Sequence, residues 1–346
     1  MFEIQKETEV LLSIIIPVYQ VEEYLEQCLN SVLCCSLQDC EVLLSSGNSI
    51  DRSNEICYEY AKKFPFIQVI KQNGTGLSNA RNSAMKMAKG KYFLFLDSDD
   101  YIIPENLNYI LTQFRNGFFQ SDVIAADFYE LNCITQEVTN IFPIGKDDPI
   151  KMGIEFLPLI LQKGQNYWSV WRYIYRRDFL EKNNLQFKEN SMAEDVDFTT
   201  RVLLANPDII FCHSPYYVYR VARKGSLMDG VTLKRFTDAA AVLKSSIQKV
   251  QESQLPYAKL LLDHLQRDYL YNLSFAIELP IQDHTSALLF YKDWKEVLKK
   301  PSNLVVRISM FSMYLFGIPI TAYLLCWTRR LKHWIRKLIG RKKTAK

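Results

Sequence analysis

The chain has 346 residues, of which 48% are hydrophobic and 23% charged, and its formal net charge is +4. This length and ordinary globular composition leave room for one large domain with a smaller appendage. The charge is uneven, because residues 328–346 hold nine Lys or Arg and no acidic residue, against 33 basic and 38 acidic residues elsewhere. A basic tail on a mildly acidic body indicates an anionic partner, either a nucleic acid or a membrane surface.

The eight cysteines lack Cys-x-x-Cys spacing and have no histidine partners at zinc spacing. They therefore favour reduced thiols in a cytoplasm over a disulfide framework. Near the N-terminus, the apolar run Leu11–Ile16 is too short for the core of a signal peptide and lacks a basic lead-in. We expect a buried strand there instead.

Predicted strands and helices alternate in the first half of the chain. Apolar runs predict strands at Leu11–Tyr19, Glu41–Leu44, Ile67–Ile70, Tyr92–Leu96 and Asp122–Ala126. Helical spacing predicts helices at Val21–Leu33 and Leu77–Lys89, with a third helix between them ending at Lys63. The alternation predicts a mainly parallel sheet with helices on both faces, and we place this half at residues 10–125.

The strand Tyr92–Leu96 is followed by three carboxylates, Asp97, Asp99 and Asp100. Carboxylates grouped at the end of a buried strand repel one another and resist desolvation. A divalent cation such as Mg²⁺ or Mn²⁺, together with a phosphorylated ligand, would stabilise them, and open α/β sheets bind ligands at this edge. The alternative is a solvated acidic turn that caps the next segment.

Beyond Ser226 the pattern becomes helical and then apolar. A small appendage is predicted from helices at Lys234–Gln251, Pro256–Leu279 and Thr285–Lys299. The run Ile308–Trp327 carries no charge and is long enough to span a bilayer core, although Gly317 and Pro319 interrupt it. Residues 327–339 place apolar side chains on one helical face and basic side chains on the other, which suits an anionic membrane surface.

Motifs in the first two thirds of the chain resemble those of family 2 glycosyltransferases of the GT-A fold. The segments of the first half that carry the resemblance are Ser13–Tyr19, Gly76–Asn82 and Gly90–Tyr101. Met192–Phe198 resembles the family's later Glu-Asp motif, and Tyr217–Arg220 with Gly225 and Ser226 resembles the segment that closes its catalytic domain. Each motif alone is weak, but their order and separations are those of the family.

This resemblance implies a three-part organisation of the chain. A Rossmann-like GT-A domain is expected over residues 1–228, with a nucleotide-sugar half at 10–125 and an acceptor half at 126–228. A helical appendage at 229–303 and a membrane-associating tail at 304–346 would follow it.

The resemblance also implies an inverting transfer of a sugar from a nucleoside-diphosphate donor, with uridine diphosphate favoured, to a hydroxyl. Asp97 and Asp99 would hold Mn²⁺ or Mg²⁺, with Asp99 the closer ligand and Asp97 facing the nucleoside. Asp195 matches the general base of the family. The donor-binding residues implied are Pro17, Tyr19, Glu22, Ser45, Ser46, Arg81, Asp97 and Ser98.

Several candidate residues have structural alternatives. Arg81 could contact a phosphate or the nucleoside, or be a cation on a helix surface. Tyr19 could pack against the base or belong to the core. Trp168 and Trp171 could form a platform for a sugar or acceptor, or serve ordinary packing. Arg220 could reach the diphosphate or support the site through a salt bridge.

The acidic residues around Asp195 also have a structural alternative. Glu194, Asp195 and Asp197 could form an acidic first helical turn that the helix dipole stabilises. Glu194 is expected to point away from Asp195, because neighbours in sequence do not share a helix face. His213 is expected to be structural rather than a metal ligand.

One departure from the family concerns Ser45 and Ser46, where an Asp usually contacts the base of the donor. The turn Gly47–Asp51 is also one residue longer than the common spacing. Serine lacks the charge that strengthens a hydrogen bond, so the identity of the nucleotide stays open. A second function stays open too, that of a non-catalytic subunit which scaffolds a polysaccharide-assembly complex.

The chain is expected on the cytoplasmic side of the cell membrane. Because basic residues stay on that side, a single span by Ile308–Trp327 would place the body away from cytoplasmic nucleotide sugars. A peripheral, monotopic or re-entrant anchor is therefore favoured over a buried helix pair or a true span. The expected acceptor is a lipid-linked saccharide of a capsular, exo- or O-antigen polysaccharide. No nucleic-acid partner is expected, since Trp327 and Trp334 need burial.

Overall fold

The computed structural model describes residues 9–147, 149–163, 167–223 and 230–343. The chain divides into two compact units. The first comprises Met1–Asn190 with Phe198–Ser226, and the second comprises Ser191–Asp197 with Leu227–Lys346. The predicted domain boundary at residue 228, like Gly225 and Ser226, lies outside the described residues, and the three-part division stays a prediction.

The first unit is built on one large mixed sheet. In the described part of the chain its strands are β1 (Leu12–Val18), β2 (Cys40–Ser46), β3 (Ile67–Lys71), β4 (Tyr92–Phe95), β5 (Tyr101–Ile102), β6 (Val123–Asn132), β7 (Val138–Ile141), β8 (Ile150–Met152), β9 (Tyr173–Arg176) and β10 (Ile209–Val221). Their order is β3-β2-β1-β4-β9-β6-β10-β5, while β7 pairs with β6 and β8 with β10.

The four strands β3, β2, β1 and β4 are all parallel, as the alternation of strands and helices predicts. Beyond them, β9 pairs antiparallel with both β4 and β6, so it separates two parallel sections of the sheet. The sequence pattern predicts no strand at β9, β5, β7 or β8. These short strands depend on partners far away in the chain rather than on a local apolar pattern.

Helices cover both faces of the parallel section. The helices of this part of the chain are α1 (Glu22–Leu33), α2 (Ser53–Lys63), α3 (Leu77–Met87), α4 (Pro104–Arg115), α5 (Arg177–Lys182) and α6 (Glu194–Leu204), of which α6 begins in the second unit. Ile14 and Ile16 join a core cluster with Leu25 of α1 and Leu107 of α4. Ile15, between them, points to the opposite face of the strand, where α3 packs.

The second unit is helical. Its further helices are α7 (Leu233–Glu252), α8 (Ala258–Leu273), α9 (Ile281–Leu289), α10 (Trp294–Val297) and α11 (Leu304–Lys343). The single helix predicted at Thr285–Lys299 is wrong, because the chain turns between α9 and α10. The side chain of Tyr291 is buried at this turn, where its hydroxyl accepts from Asn272 at 3.0 Å and donates to the Tyr269 carbonyl at 3.1 Å.

The helix α11 joins the predicted apolar and amphipathic segments into one element. Its break lies at Gly317, whose φ of 80° and ψ of 171° are non-helical, just before Pro319. Among the described residues, Leu304–Lys332 is long and apolar enough to cross a membrane by length and composition. The predicted amphipathic helix does not begin separately at Trp327, and the side chains of residues 336–339 lie outside the described part.

Candidate active site

The candidate site lies at the C-terminal ends of β1, β2 and β4. Parallel pairing brings Pro17 of β1 beside Ser45 of β2, and Val18 beside Ser46. The chain leaves β4 at Leu96, whose amide donates to the Ile15 carbonyl at 2.9 Å. It then turns through residues 97–100, which we call the acidic segment, and this segment reaches the same edge as the polar end of β2.

Asp97 is held by an arginine from α3. Nη2 of Arg81 donates to Oδ1 of Asp97 at 2.9 Å, and the Arg81 side chain is only 1% exposed. Its guanidinium also lies 5.1 Å from the ring centroid of Phe187. The alternative of a helix-surface cation is therefore wrong, because the helical spacing of α3 turns Arg81 towards the interior. A buried guanidinium of this kind fixes the orientation of its carboxylate.

Asp99 is held by one arginine within β10 and one just beyond its end. Its carboxylate pairs with the guanidinium of Arg223, and its side chain remains 23% exposed. Arg220 donates from its guanidinium to the Asp99 backbone carbonyl. Arg223 is not among the site residues predicted from the sequence, although it lies three residues beyond the Tyr217–Arg220 motif.

Asp100 is the buried member of the acidic segment. Its carboxylate accepts from the Tyr217 hydroxyl at 2.6 Å and from the Arg220 amide at 2.7 Å. Burial, together with the charges of Asp99 and Asp97, raises the pKa of this carboxyl well above its usual range. Asp100 therefore anchors the segment to β10, while Asp97 and Asp99 keep part of their surface open.

Arg220 supports the site through aromatic rings, an amide side chain and a backbone carbonyl. Its guanidinium lies 4.7 Å from the Tyr101 ring centroid and 5.2 Å from that of Tyr24, and it donates to the side-chain oxygen of Gln27. These contacts, with its bond to the Asp99 carbonyl, support the site without the salt bridge that the sequence predicts as one alternative, and a role at the diphosphate stays a prediction.

The two serines at the end of β2 lie in different environments. Ser45 is fully buried, and its hydroxyl has no hydrogen-bond partner among the described residues. Ser46 is partly exposed, and its hydroxyl donates to the Asn54 side chain at the start of α2. Tyr19, at the end of β1, is 54% exposed and therefore does not belong to the core. Ser98 is buried within the acidic segment.

Glu22 and Asp51 connect the starts of α1 and α2. Oε2 of Glu22 accepts from the Arg52 amide at 2.8 Å, and Oδ2 of Asp51 accepts from the Glu22 amide at 3.1 Å. Oδ1 of Asp51 accepts from the Ser53 amide at 3.1 Å. Glu22, a predicted donor-binding residue, thus uses its carboxylate to satisfy a backbone donor at a helix start.

The two candidate platform tryptophans are buried. The ring of Trp171 stacks on Tyr217 with centroids 4.3 Å apart and meets Phe128 edge-on at 4.9 Å. The backbone carbonyl of Trp168 accepts from the Thr199 hydroxyl at 2.7 Å. The burial of both side chains favours the packing alternative, in which Trp171 supports Tyr217 and so, indirectly, Asp100.

The predicted base lies in the first turn of α6, within the second unit. Glu194 and Asp197 are buried there, while Asp195 is partly exposed. Nζ of Lys249 on α7 lies 3.5 Å from Oδ1 of Asp197. His213, by contrast, bonds the buried Asp127 at 2.6 Å, with Nδ1 to Oδ2. This pairing places His213 in a structural contact away from the acidic segment.

The acidic segment fits a divalent cation that arrives with its ligand. In the described residues no group of three or more His, Cys, Asp or Glu side chains forms a complete cage for a metal ion. Asp97 and Asp99 offer two partly exposed carboxylates. Mg²⁺ is typically bound by one or two carboxylates together with substrate phosphates and water, so two carboxylates are a sufficient protein contribution.

The fold matches known structures over almost the whole chain. S. aureus TarS 1-349, crystallised in complex with UDP-GlcNAc, has a TM-score of 0.73 and 21% identity, covering 93% of this chain and 92% of that one. The mannosyltransferase PcManGT from Pyrobaculum calidifontis, in complex with GDP-Man and Mn²⁺, has a TM-score of 0.50 and 13% identity, covering 91% and 86%. These likenesses confirm the expected GT-A fold.

Sequence comparison identifies the family. The family model described as Glycosyl transferase family 2 matches residues 13–145. The uncharacterized glycosyltransferase EpsJ of Bacillus subtilis (strain 168) is 30% identical over 268 residues, which cover 77% of this chain and 69% of EpsJ. The match thus extends well beyond the acidic segment, and the chain belongs to the family 2 glycosyltransferases.

Proposed function

We propose that this glycosyltransferase moves a sugar from a nucleoside-diphosphate sugar to an acceptor hydroxyl with inversion at the anomeric carbon. The observation that carries the proposal is the acidic segment itself. Asp97 and Asp99 lie at the ligand-binding edge of the parallel strands, and each is oriented by its own arginine. Such an arrangement suits a ligand that brings a diphosphate and a cation together.

The donor is proposed to be a uridine-diphosphate sugar. The complex of TarS 1-349 with UDP-GlcNAc supports this choice, because TarS 1-349 has the same fold over 92% of its length. Tyr19 presents an exposed ring at the end of β1, where it can pack against a base. Ser46 is the more accessible of the two serines and can donate to or accept from the base.

Asp97 and Asp99 would hold the divalent cation, Mn²⁺ or Mg²⁺, and the Mn²⁺ complex of PcManGT supports this assignment. When bound, the cation acts as a Lewis acid that stabilises the charge on the departing diphosphate. Arg81 keeps the Asp97 carboxylate oriented, and we propose that Arg223 exchanges its contact with Asp99 for one with a phosphate oxygen of the donor.

Asp195 is proposed as the general base that takes the proton from the acceptor hydroxyl. Its place at the start of α6 leaves the carboxylate partly exposed, as a base that meets an incoming acceptor requires. The buried neighbours Glu194 and Asp197 are instead held within the helical turn.

The acceptor is proposed to be a lipid-linked saccharide of a surface polysaccharide, reached at the cytoplasmic face of the membrane. One face of α11 packs against its own unit through Val306, Met313, Ala322 and Cys326. The other face exposes large apolar side chains, among them Phe311, Tyr314, Phe316, Ile320, Tyr323 and Trp327. Because protein covers one side of the helix along this length, α11 fits an in-plane anchor better than a span.

Calorimetric titration of nucleotide sugars into the full-length protein, in detergent with Mn²⁺, tests the proposal. We expect one uridine-diphosphate sugar to bind more tightly than guanosine- or thymidine-diphosphate sugars, and to lose affinity when the metal is chelated. If no nucleotide sugar binds, the donor proposal fails and the non-catalytic scaffolding function takes its place.

A further inference from the structure

The turn that carries Asp195 belongs structurally to the C-terminal helical unit. Ser191–Asp197 group with Leu227–Lys346, whereas the residues immediately before and after them group with the first unit. We infer that α7 positions this turn through Lys249 and Asp238, so that the helical unit sets the geometry of the base. This inference rests on the proposed role of Asp195.

In the described part of the chain, at least two contacts attach the turn to α7. Oδ2 of Asp238 accepts from the Met192 amide at 3.2 Å and from Nζ of Lys234 at 2.7 Å. Nearer the C-terminal end of α7, Nζ of Lys249 lies 3.5 Å from Oδ1 of Asp197. The two contacts hold the turn on either side of Asp195, and neither involves Asp195 itself.

The helix α7 is a firm support for these contacts. It has 20 residues and buries a full apolar stripe, which includes Phe236, Leu243, Ile247 and Val250. Thr232 caps its start by accepting from the Arg235 amide. Groups on a packed helix hold geometry better than groups on a loop, and a displacement of about 1 Å can lower turnover by about 100-fold.

Lys249 brings a positive charge to an acidic turn. Glu194, Asp195 and Asp197 are three acidic residues within four positions, and Asp197 is 7% exposed. Lys249 places this charge beside a side chain that has little contact with water, so its removal would weaken the hold on Asp197. Lys249 therefore helps to hold Asp197 in place. Because Asp195 lies in the same turn, Lys249 also helps to fix the position of the Asp195 side chain.

The α6 helix is fixed separately just beyond the turn. Phe198 stacks on Phe187 with centroids 4.2 Å apart and an interplanar angle of 8°, and the Thr199 hydroxyl donates to the Trp168 carbonyl. These contacts lie within the first unit. Loss of the α7 contacts would therefore loosen the first turn of α6 while the rest of the helix stayed anchored.

Lys249→Met in the full-length protein tests the inference. We expect kcat for transfer to fall by about 10- to 100-fold with an unchanged KM for the donor. Lys249→Arg should restore most of the turnover. Lys244→Met is the matched control, because Lys244 lies on the same helix but pairs with Asp293 instead of the turn.

Hydrogen–deuterium exchange of residues 191–199 gives a readout that needs no donor. Exchange should accelerate in Lys249→Met and in Asp238→Ala, but not in Lys244→Met. Unchanged exchange in both variants would overturn the anchoring, and faster exchange with wild-type kcat would overturn the positioning role. If the wild-type protein turned over no donor, the proposed function would fail, while the exchange result would still decide whether α7 holds the turn.

Discussion

The Tyr217 hydroxyl joins the acidic segment to the strand that follows it by more than a hundred residues. It donates to Oδ2 of Asp100 at 2.6 Å and accepts from the Asp97 amide at 3.2 Å. One hydroxyl therefore fixes both ends of the segment that carries Asp99. Burial raises the pKa of Tyr217 well above its usual range, so the hydroxyl keeps its proton and its role as donor.

Tyr217→Phe should therefore loosen this segment without changing the fold. We expect a loss of about 1–3 kcal/mol in the free energy of unfolding, because the buried Asp100 carboxylate loses one of its two donors. Affinity for Mn²⁺ should fall as well. Urea unfolding and Mn²⁺ titration measure the two effects. Tyr219→Phe is the control on the same strand, since the Tyr219 hydroxyl makes no hydrogen bond in the described part of the chain. Equal losses of stability and of Mn²⁺ affinity in the two variants would contradict this account.

Asp99→Asn should abolish transfer while the protein stays folded. The amide keeps the size of the side chain but removes the negative charge that would hold the cation. Electron paramagnetic resonance with added Mn²⁺ and uridine diphosphate should therefore detect less protein-bound metal than with the wild-type protein. Asp39→Asn is the matched control, because Asp39 also pairs with an arginine, Arg115, but lies outside the acidic segment. If Asp99→Asn showed near-normal Mn²⁺ binding and turnover, the assignment of Asp99 as a metal ligand would be wrong.

Arg81→Met should destabilise the protein far more than the same change at an exposed ion pair. The Arg81 side chain is 1% exposed and its partner Asp97 24% exposed, so the loss should approach the about 3 kcal/mol that a broken buried pair costs. Arg52→Met, which breaks the exposed pair with Glu55, should cost at most about 1 kcal/mol. If urea unfolding gave similar losses in the free energy of unfolding for the two variants, the buried Arg81 pair would contribute no more to stability than the exposed pair.

The parallel section of the fold and the acidic segment could be predicted from the sequence, because both depend on local signals. An apolar run that stops at Asp97 and Asp99 marks a buried strand with an open end. Helical spacing and turn residues place α1 and α3 nearly where they lie. Each of these signals needs only about ten neighbouring residues.

The partners of the acidic segment could not be predicted in the same way. Arg223 meets Asp99 across 124 residues, and Tyr217 meets Asp100 across 117, so both contacts depend on where β10 enters the sheet. The burial of Arg81 likewise depends on Asp97 lying across the sheet edge from α3. Helical spacing assigns a face to a residue, but the partner on that face comes from the tertiary fold.

Membrane binding should depend on the exposed face of α11. Combined replacement of Phe311, Phe316 and Trp327 by Ser should release the protein from vesicles of phosphatidylglycerol and phosphatidylcholine, because the apolar face then no longer inserts. High salt should weaken wild-type binding only in part, since screening acts on the basic side chains alone. Flotation of vesicles measures both.

Phe118→Ser provides the control for this experiment. Phe118 is also an exposed aromatic residue, but it lies in the first unit. This variant should float with vesicles like the wild-type protein. If the wild-type protein failed to float, or if the α11 variant floated equally well, the anchor would be wrong and the acceptor could be a soluble sugar or a protein.

Donor hydrolysis by the purified full-length protein, followed by proton nuclear magnetic resonance, tests the central claim most directly. With Mn²⁺ and a uridine-diphosphate sugar that binds, the wild-type protein should release uridine diphosphate and an inverted sugar. Asp195→Asn should bind the same donor with unchanged affinity and turn it over about 10²- to 10⁴-fold more slowly. A wild-type protein that binds donors but never cleaves them, or an Asp195→Asn variant that cleaves them at the wild-type rate, would contradict the account.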